Sequence, residues 1–141
     1  MVSRIAFGSY ERRYLIFFLY ISDMMKVIIA GGRNFNDYEF LSRVCDIVLS
    51  RQTAVEVVSG TANGADTLGE KYAYDNGLLI KKFPADWDKY GKSAGYRRNS
   101  QMADYADALI AFWDGASKGT KHMIDLARRG NLKVKVVYFS S

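Results

Sequence analysis

Short apolar runs alternate with longer segments of helical periodicity from Lys26 to the end of the chain. The runs have the length of buried strands and predict strands at 26–32, 55–60, 78–85, 108–113 and 134–139. Such alternation is typical of βαβ units and a parallel sheet. Right-handed crossovers then predict an α/β fold, a single Rossmann-like doubly wound parallel sheet with strand order 3-2-1-4-5 and helices on both faces.

Local signals also predict where the helices begin and end. Asn36 or Asp37 is a good N-cap for the first helix, whose inner face is expected to include Val48. Gly130 stands where a left-handed residue would end the last helix. A long polar and aromatic loop is predicted after Pro84, followed by a helix around 98–105.

The first residues differ from the rest of the chain. The apolar run at 14–21 follows two arginines, as in a signal peptide, but no Ala-x-Ala-like cleavage site follows and the run is too short to span a bilayer. We therefore expect residues 1–24 to be an N-terminal extension, either poorly ordered, packed against the body, or arising from an upstream translation start. Residues 25–141 are expected to form one domain.

Amino-acid composition places only weak limits on the kinds of ligand, disulfide and metal site that the protein can have. The net charge of +5 suits an anionic ligand or nucleic acid, but the basic residues are dispersed. A single cysteine, Cys45, excludes an intrachain disulfide and is expected to be a packed thiol in a cytoplasmic protein. The one histidine, His122, is expected on an exposed helix face. No Cys/His ligand spacing supports a metal site, and no cofactor or membrane association is expected.

Three glycine-rich loops follow the first, second and fourth strands: "GGRNF" at 31–35, "SGTANGAD" at 59–66 and "DGASKGT" at 114–120. In a doubly wound sheet these loops meet at the crevice between strands one and four, where the winding reverses. A glycine-rich loop that leads into a helix can hold a phosphate on free backbone N–H groups. One such loop alone would be a plain turn, whereas three at one edge predict a phosphate-bearing ligand.

Several common nucleotide and hydrolase motifs are missing. No G-x-G-x-x-G follows the first strand, and the second strand ends in Ser59-Gly60, where a usual dinucleotide fold has an acidic residue for the ribose. Neither a Walker A loop nor a G-x-S-x-G nucleophile elbow occurs. A usual dinucleotide, a P-loop mechanism and a serine nucleophile are therefore not expected.

These loops, together with "FPADWDKYGKSAGYRRNSQM" and "AFWDGASKGT", resemble the small YspA/YpsA-related branch of the SLOG superfamily. That superfamily also contains the LONELY GUY phosphoribohydrolases and the DNA-processing protein DprA. The resemblance covers about 25–139 and implies a Rossmann-like domain, common in phages and bacteria, that binds nucleotides or nucleotide-derived ligands.

The LONELY GUY hydrolases use an arginine in Arg-Lys-x-x-Met and a glutamate in Gly-Gly-x-Gly-Thr-x-x-Glu. By resemblance, "RNSQM" supplies Arg98 and Met102 with Asn99 in place of lysine, and Met123 stands where the glutamate would be. A thioether cannot act as a general base or stabilise an oxocarbenium ion. Any hydrolysis would need a substitute carboxylate, for which the candidates are Asp66, Asp86 and Asp114.

Each candidate residue also has a plainer structural interpretation. Arg33 could bind a phosphate or pair with a local carboxylate, and Asp66 could accept from ribose hydroxyls or cap its own helix. Trp87 and Tyr90 could stack on a base or pack against the sheet. Arg98, Asp66 and Asp114 are the catalytic candidates. The predicted ligand-binding residues are Gly31, Gly32, Arg33, Ser59, Gly60, Gly64, Ala65, Asp66, Trp87, Arg98, Asn99, Asp114, Gly115, Ser117, Gly119 and Thr120.

Three functions remain open from the sequence. The first is a sensor or processing protein that binds a nucleotide-derived small molecule. The second is an N-glycosidic hydrolase of nucleotides, and the third is a DprA-like module for single-stranded DNA. A homodimer is a further open alternative.

Overall fold

The structure, a computed structural model, describes Arg13 and residues 24–140. Apart from Arg13 and Met24, the predicted N-terminal extension lies outside the described residues, so that domain boundary stays a prediction. Met24 itself is buried where the chain enters the first strand.

Five parallel strands form one sheet in the order β3-β2-β1-β4-β5, which confirms the predicted fold. The elements along the chain are β1 (Met25–Gly31), α1 (Tyr38–Val48), β2 (Val55–Ser59), α2 (Ala65–Asp75), β3 (Leu79–Lys82), α3 (Trp87–Tyr90), a 3-10 turn (Gly91–Ser93), α4 (Ala94–Tyr105), β4 (Ala108–Trp113), α5 (Lys118–Arg129) and β5 (Lys133–Tyr138).

The core has one apolar layer on each face of the sheet, because successive side chains of a strand point to opposite faces. On β1, Val27 and Ile29 belong to the layer covered by α1 and α2, whereas Ile28 belongs to the layer covered by α4 and α5. Cys45 is fully buried in the first layer, and burial raises the pKa of its thiol to about 12. It is therefore a packed thiol rather than a nucleophile.

Two predictions about helix α1 have different outcomes. Asp37 is the N-cap, and its Oδ1 accepts from the Phe40 N–H at 3.1 Å, as the sequence predicted. Val48 was predicted to face inward, but its side chain is 39% exposed. The reason is its place in the last turn of α1, where it borders an open apolar depression together with Met25 and Val134.

The prediction of a left-handed Gly130 is wrong. Gly130 has φ −82°, and its N–H still bonds to the Leu126 carbonyl of α5 at 2.9 Å. The left-handed residue comes one position later, at Asn131 with φ +59°. Asparagine tolerates this conformation better than most residues, so it ends the helix in place of glycine.

The segment after Pro84 is more ordered in secondary structure than predicted. It contains α3 and the 3-10 turn, and α4 begins at Ala94 rather than near Arg98. Ala94 is buried, and Asp86 caps α3 by accepting from the Lys89 N–H at 3.1 Å. The extra turns bring the amino end of α4 over the carboxyl edge of the sheet, where the cleft described below lies.

Candidate functional site

A cleft of about 400 Å³ lies at the carboxyl edge of the sheet, between the loops that follow β1 and β4. Its lining residues come from those two loops, the start of α2, helices α3 and α4 with the turn between them, and the first turn of α5. This is the position predicted from the reversal of winding in the strand order.

The loops after β1 and β2 are locked together at two glycines. The Gly32 carbonyl accepts from the N–H groups of Phe35 and Ala65, each at 3.2 Å. Gly64 has φ +80°, and a Cβ at this position would collide with the Gly32 carbonyl oxygen. Only glycine allows the two backbones to approach this closely, so the start of α2 is held against the end of β1.

Two arginines line the cleft. Arg98 is half-buried; its Nε donates to the Asn99 Oδ1 at 3.0 Å and its Nη1 donates to the Gly60 carbonyl. Arg33 is exposed, with its Cζ 6.0 Å from the centroid of the Trp87 ring. Among the described residues no carboxylate pairs with Arg33, so its guanidinium is available to an anion. Arg97, next to Arg98, lies outside the cleft and stacks on Tyr90 at 4.3 Å.

Asp66 is the buried carboxylate of the cleft, with only 5% of its surface exposed. It lies in the first turn of α2, whose N-cap is Gly64, and its Oδ2 accepts from the Ala62 N–H at 3.1 Å. Burial raises the pKa of Asp66 to about 6, although the Ala62 hydrogen bond and Arg98 oppose the shift. A carboxyl group that titrates near neutral pH in a cleft can exchange protons with a ligand.

The first turn of α5 forms another side of the cleft. Ser117 is its N-cap, and Asp114 Oδ1 accepts from the N–H groups of Ala116 and Ser117, each at 2.8 Å. These two bonds lower the pKa of Asp114, so this carboxylate is poorly suited to proton transfer. Thr120 is buried, and its hydroxyl donates to the Ser117 Oγ at 3.1 Å.

Asn99 connects α4 to α5 beneath the cleft. It is buried, and its Nδ2 donates to the Gly119 carbonyl at 3.3 Å and lies 3.2 Å from the His122 Nδ1. His122 packs edge-on against Tyr96 and is partly buried, so the prediction of an exposed histidine is wrong. Burial lowers the pKa of His122, which favours a neutral ring that can accept from Asn99.

Aromatic side chains stand at the open side of the cleft. Trp87 is 49% exposed and Tyr96 is 45% exposed, and both line the cleft. Tyr90 lies outside it. Trp113 packs beside Tyr138 at the end of the sheet, where its Nε1 donates to the Ser117 carbonyl at 3.0 Å.

Most predicted ligand-binding residues line the cleft, namely Gly31, Gly32, Arg33, Asp66, Trp87, Arg98, Asn99, Asp114, Ser117, Gly119 and Thr120. The others do not: Ser59, Gly60, Gly64, Ala65 and Gly115. Ser59 is fully buried and donates to the Glu70 Oε2 at 2.6 Å, while Gly60 borders a neighbouring depression beside Arg98. Gly64 and Ala65 hold the loops together, and Gly115 forms the turn after Asp114.

Sequence reasoning missed other residues that line the cleft: Ala30, Asn34, Ala62, Lys92, Gly95, Tyr96 and Phe139. Lys92 and Tyr96 belong to the segment that was predicted as a loop, where a basic residue and an aromatic residue next to "RRN" were the available signal. No group of three or more metal-ligating side chains occurs in the described part of the chain. Likewise, none of the described helices is both long and apolar enough to cross a membrane.

Comparison with known sequences gives two matches. Residues 25–90 match the model of the YspA, cpYpsA-related SLOG family. The chain is also 32% identical over 120 residues to the Gene 61 protein of Mycobacterium phage D29, an alignment that covers 79% of this chain and 94% of the phage protein.

Comparison with solved structures supports the fold. DNA processing protein A (DprA) from Streptococcus pneumoniae superposes with a TM-score of 0.67 at 17% identity, covering 86% of this chain and 52% of that protein. This chain therefore spans about half the length of the pneumococcal protein. DprA from Helicobacter pylori, described for its single-stranded DNA binding mode, superposes with a TM-score of 0.58 at 17% identity, covering 84% and 67% of the two chains.

Proposed function

The chain belongs to the YspA, cpYpsA-related SLOG family, and on that premise we propose that it binds a nucleotide or a nucleotide-derived phosphorylated ligand in the cleft, as a sensor or processing protein. One observation carries the proposal: the glycine-rich loops after β1 and β4 and two arginines converge on a single cleft at the carboxyl edge of the sheet. A volume of about 400 Å³ suits a small-molecule ligand.

The phosphate has two sources of attraction in the cleft. The N–H groups of Lys118 and Gly119 begin α5 and have no acceptor among the described residues. The positive end of the helix dipole favours an anion at this point. Arg33 and Arg98 line the same cleft and can donate in pairs to phosphate oxygens.

The base has aromatic surfaces to stack on. Trp87 and Tyr96 line the cleft with about half of their surface exposed. An exposed aromatic face gains from stacking on a planar base, and this gain depends little on which base is present. The ligand is therefore expected to place its phosphate inside and its base at the mouth.

Isothermal titration with AMP, ADP-ribose and cyclic nucleotides tests the proposal, with the adjacent arginines as a matched pair of variants. Arg98→Ala removes a cleft cation and is expected to weaken binding by roughly tenfold or more. Arg97→Ala removes an equal charge outside the cleft and is expected to leave binding close to that of the wild type. The proposal fails if no nucleotide binds at millimolar concentration, or if both variants weaken binding equally.

Hydrolysis of an N-glycosidic bond is the second candidate, and Asp66 is the observation that favours it. Met123 lines the cleft and stands at the sequence position where the related hydrolases have glutamate. Asp66 lines the same cleft, and its carboxyl has a pKa of about 6. Arg98 would orient the phosphate while Asp66 transfers a proton during cleavage of the bond between sugar and base. Release of free base from nucleoside monophosphates, abolished in Asp66→Asn, would support this activity. Intact nucleotide after prolonged incubation at saturating protein would exclude it for the nucleotides tested.

Binding of single-stranded DNA is the third candidate. The fold similarity to DprA favours it, as does Lys92 beside the aromatic mouth of the cleft. This function predicts retention of an oligonucleotide that decreases steeply with salt, because phosphate contacts release counterions. Lack of retention at low salt would remove this candidate.

A further inference from the structure

The Asp66 side chain places a carboxylate at the end of β2, where the sequence of the strand itself supplies no acidic residue. Dinucleotide-binding folds of this class place an acidic residue there to hold ribose hydroxyls, but here the strand is followed by Gly60. A Cβ at Gly60 would lie 2.8 Å from the Asp66 Oδ2 and 2.7 Å from the Arg98 Nη1. The carboxylate of Asp66 therefore occupies the space that a side chain at position 60 would fill.

The hydrogen bonding of Asp66 leaves one acceptor unused. Its Oδ2 accepts from the Ala62 N–H, whereas Oδ1 has no partner among the described residues. No deeply buried side-chain N or O atom in that part of the chain lacks a partner, so the free oxygen borders the cleft rather than the core. The ionised Asp66 side chain can only accept hydrogen bonds, and only 5% of the residue is exposed to solvent. A ligand in the cleft is therefore expected to supply a donor to this oxygen.

The kind of donor follows from the rest of the cleft. Arg33, Arg98 and the amino end of α5 attract a phosphate, which is itself an acceptor and has nothing to donate to a carboxylate. Sugar hydroxyls are neutral donors attached to the same ligand. We propose that the Asp66 carboxylate accepts hydrogen bonds from the ribose hydroxyls, so that the cleft prefers a ribonucleotide to its 2′-deoxy counterpart. This inference rests on the proposed nucleotide-binding function.

Pairs of ligands that differ by one hydroxyl test the inference. The wild-type protein is titrated by calorimetry with AMP, GMP, CMP and UMP and with their 2′-deoxy counterparts. The expected result is that the ribonucleotide of the best-binding pair has a Kd lower by roughly tenfold or more, because the deoxy ligand leaves the buried acceptor unpaired. Equal Kd values within a binding pair would overturn the inference while leaving the proposed function intact. If no member of any pair binds while ADP-ribose or a cyclic nucleotide does, the inference fails and the proposed function stands; if none of these ligands binds, both fail.

Two isosteric variants assign the preference to Asp66. In Asp66→Asn the amide oxygen can keep the Ala62 hydrogen bond while the NH₂ group faces the ligand, so the ratio of deoxy to ribo Kd is expected to fall to within about threefold. Asp104→Asn makes the same change of charge on an exposed part of α4, outside the cleft, and is expected to keep the wild-type ratio. A preference that survives in a folded Asp66→Asn protein would overturn the role of Asp66. The same conclusion follows if this variant weakens both ligands equally.

Discussion

Replacing Asp66 by asparagine is expected to stabilise the protein at alkaline pH while it impairs the cleft. Burial raises the pKa of this carboxyl from 3.8 to about 6, so ionisation of Asp66 lowers the unfolding free energy. The shift of about two pKa units corresponds to roughly 3 kcal/mol of unfolding free energy. Asparagine has nearly the same shape, carries no charge, and can keep the hydrogen bond from Ala62.

The sign of the pH dependence follows from proton linkage. Because the folded state binds the Asp66 proton more tightly than the unfolded state, the unfolding free energy of the wild type decreases as pH rises from about 4 to about 6. Above this pH window Asp66 is ionised in both states, and its destabilising effect no longer changes with pH. Asp66→Asn is therefore expected to exceed the wild type by up to roughly 3 kcal/mol at about pH 8, relative to the difference between the two proteins at about pH 4.

Urea unfolding of both proteins at these two pH values measures the difference directly, because other titrating groups cancel in the comparison. Asp104→Asn serves as a control for loss of one carboxylate and is expected to differ little from the wild type at either pH. The reasoning would be refuted if the advantage of Asp66→Asn were the same at both pH values, or if this variant were the less stable protein at pH 8.

Three other substitutions test the construction of the cleft. Gly119→Val is expected to abolish nucleotide binding with little change in melting temperature, because a Cβ at this position meets open space; calorimetry and thermal scans would contradict this if binding survived or the protein melted much earlier. Gly64→Ala is expected to lower the unfolding free energy in urea by roughly 2–4 kcal/mol, since it combines a left-handed backbone with a collision at the Gly32 carbonyl; a neutral effect would refute the locking of the two loops. Asn99→Ala is expected to cost roughly 1–3 kcal/mol in urea and to weaken nucleotide binding, because Arg98 loses its Nε acceptor. Unchanged stability and affinity would show that Asn99 positions neither helix.

The sequence alone determined the sheet and the position of the cleft. The runs at 26–32 and 108–113 predicted β1 and β4 within a residue at each end, because strand length and apolar content are local properties. The strand order then followed from the constant handedness of βαβ crossovers. Since the carboxyl ends of parallel strands share one edge, the glycine-rich loops after β1 and β4 had to meet there.

Tertiary structure alone decided what individual side chains do at that edge. Asp66 acquires its raised pKa from burial next to Gly60, although Arg98, which follows it by 32 positions in the sequence, opposes the shift. His122 becomes partly buried because α4 brings Tyr96 and Asn99 against it. Burial and hydrogen bonding of this kind depend on distances between helices, and the periodicity of a single helix carries no information about its neighbour's distance. Residue type could therefore nominate Asp66 as a candidate, but only the tertiary structure makes it the buried carboxylate of the cleft, next to Gly60 and the Arg98 side chain.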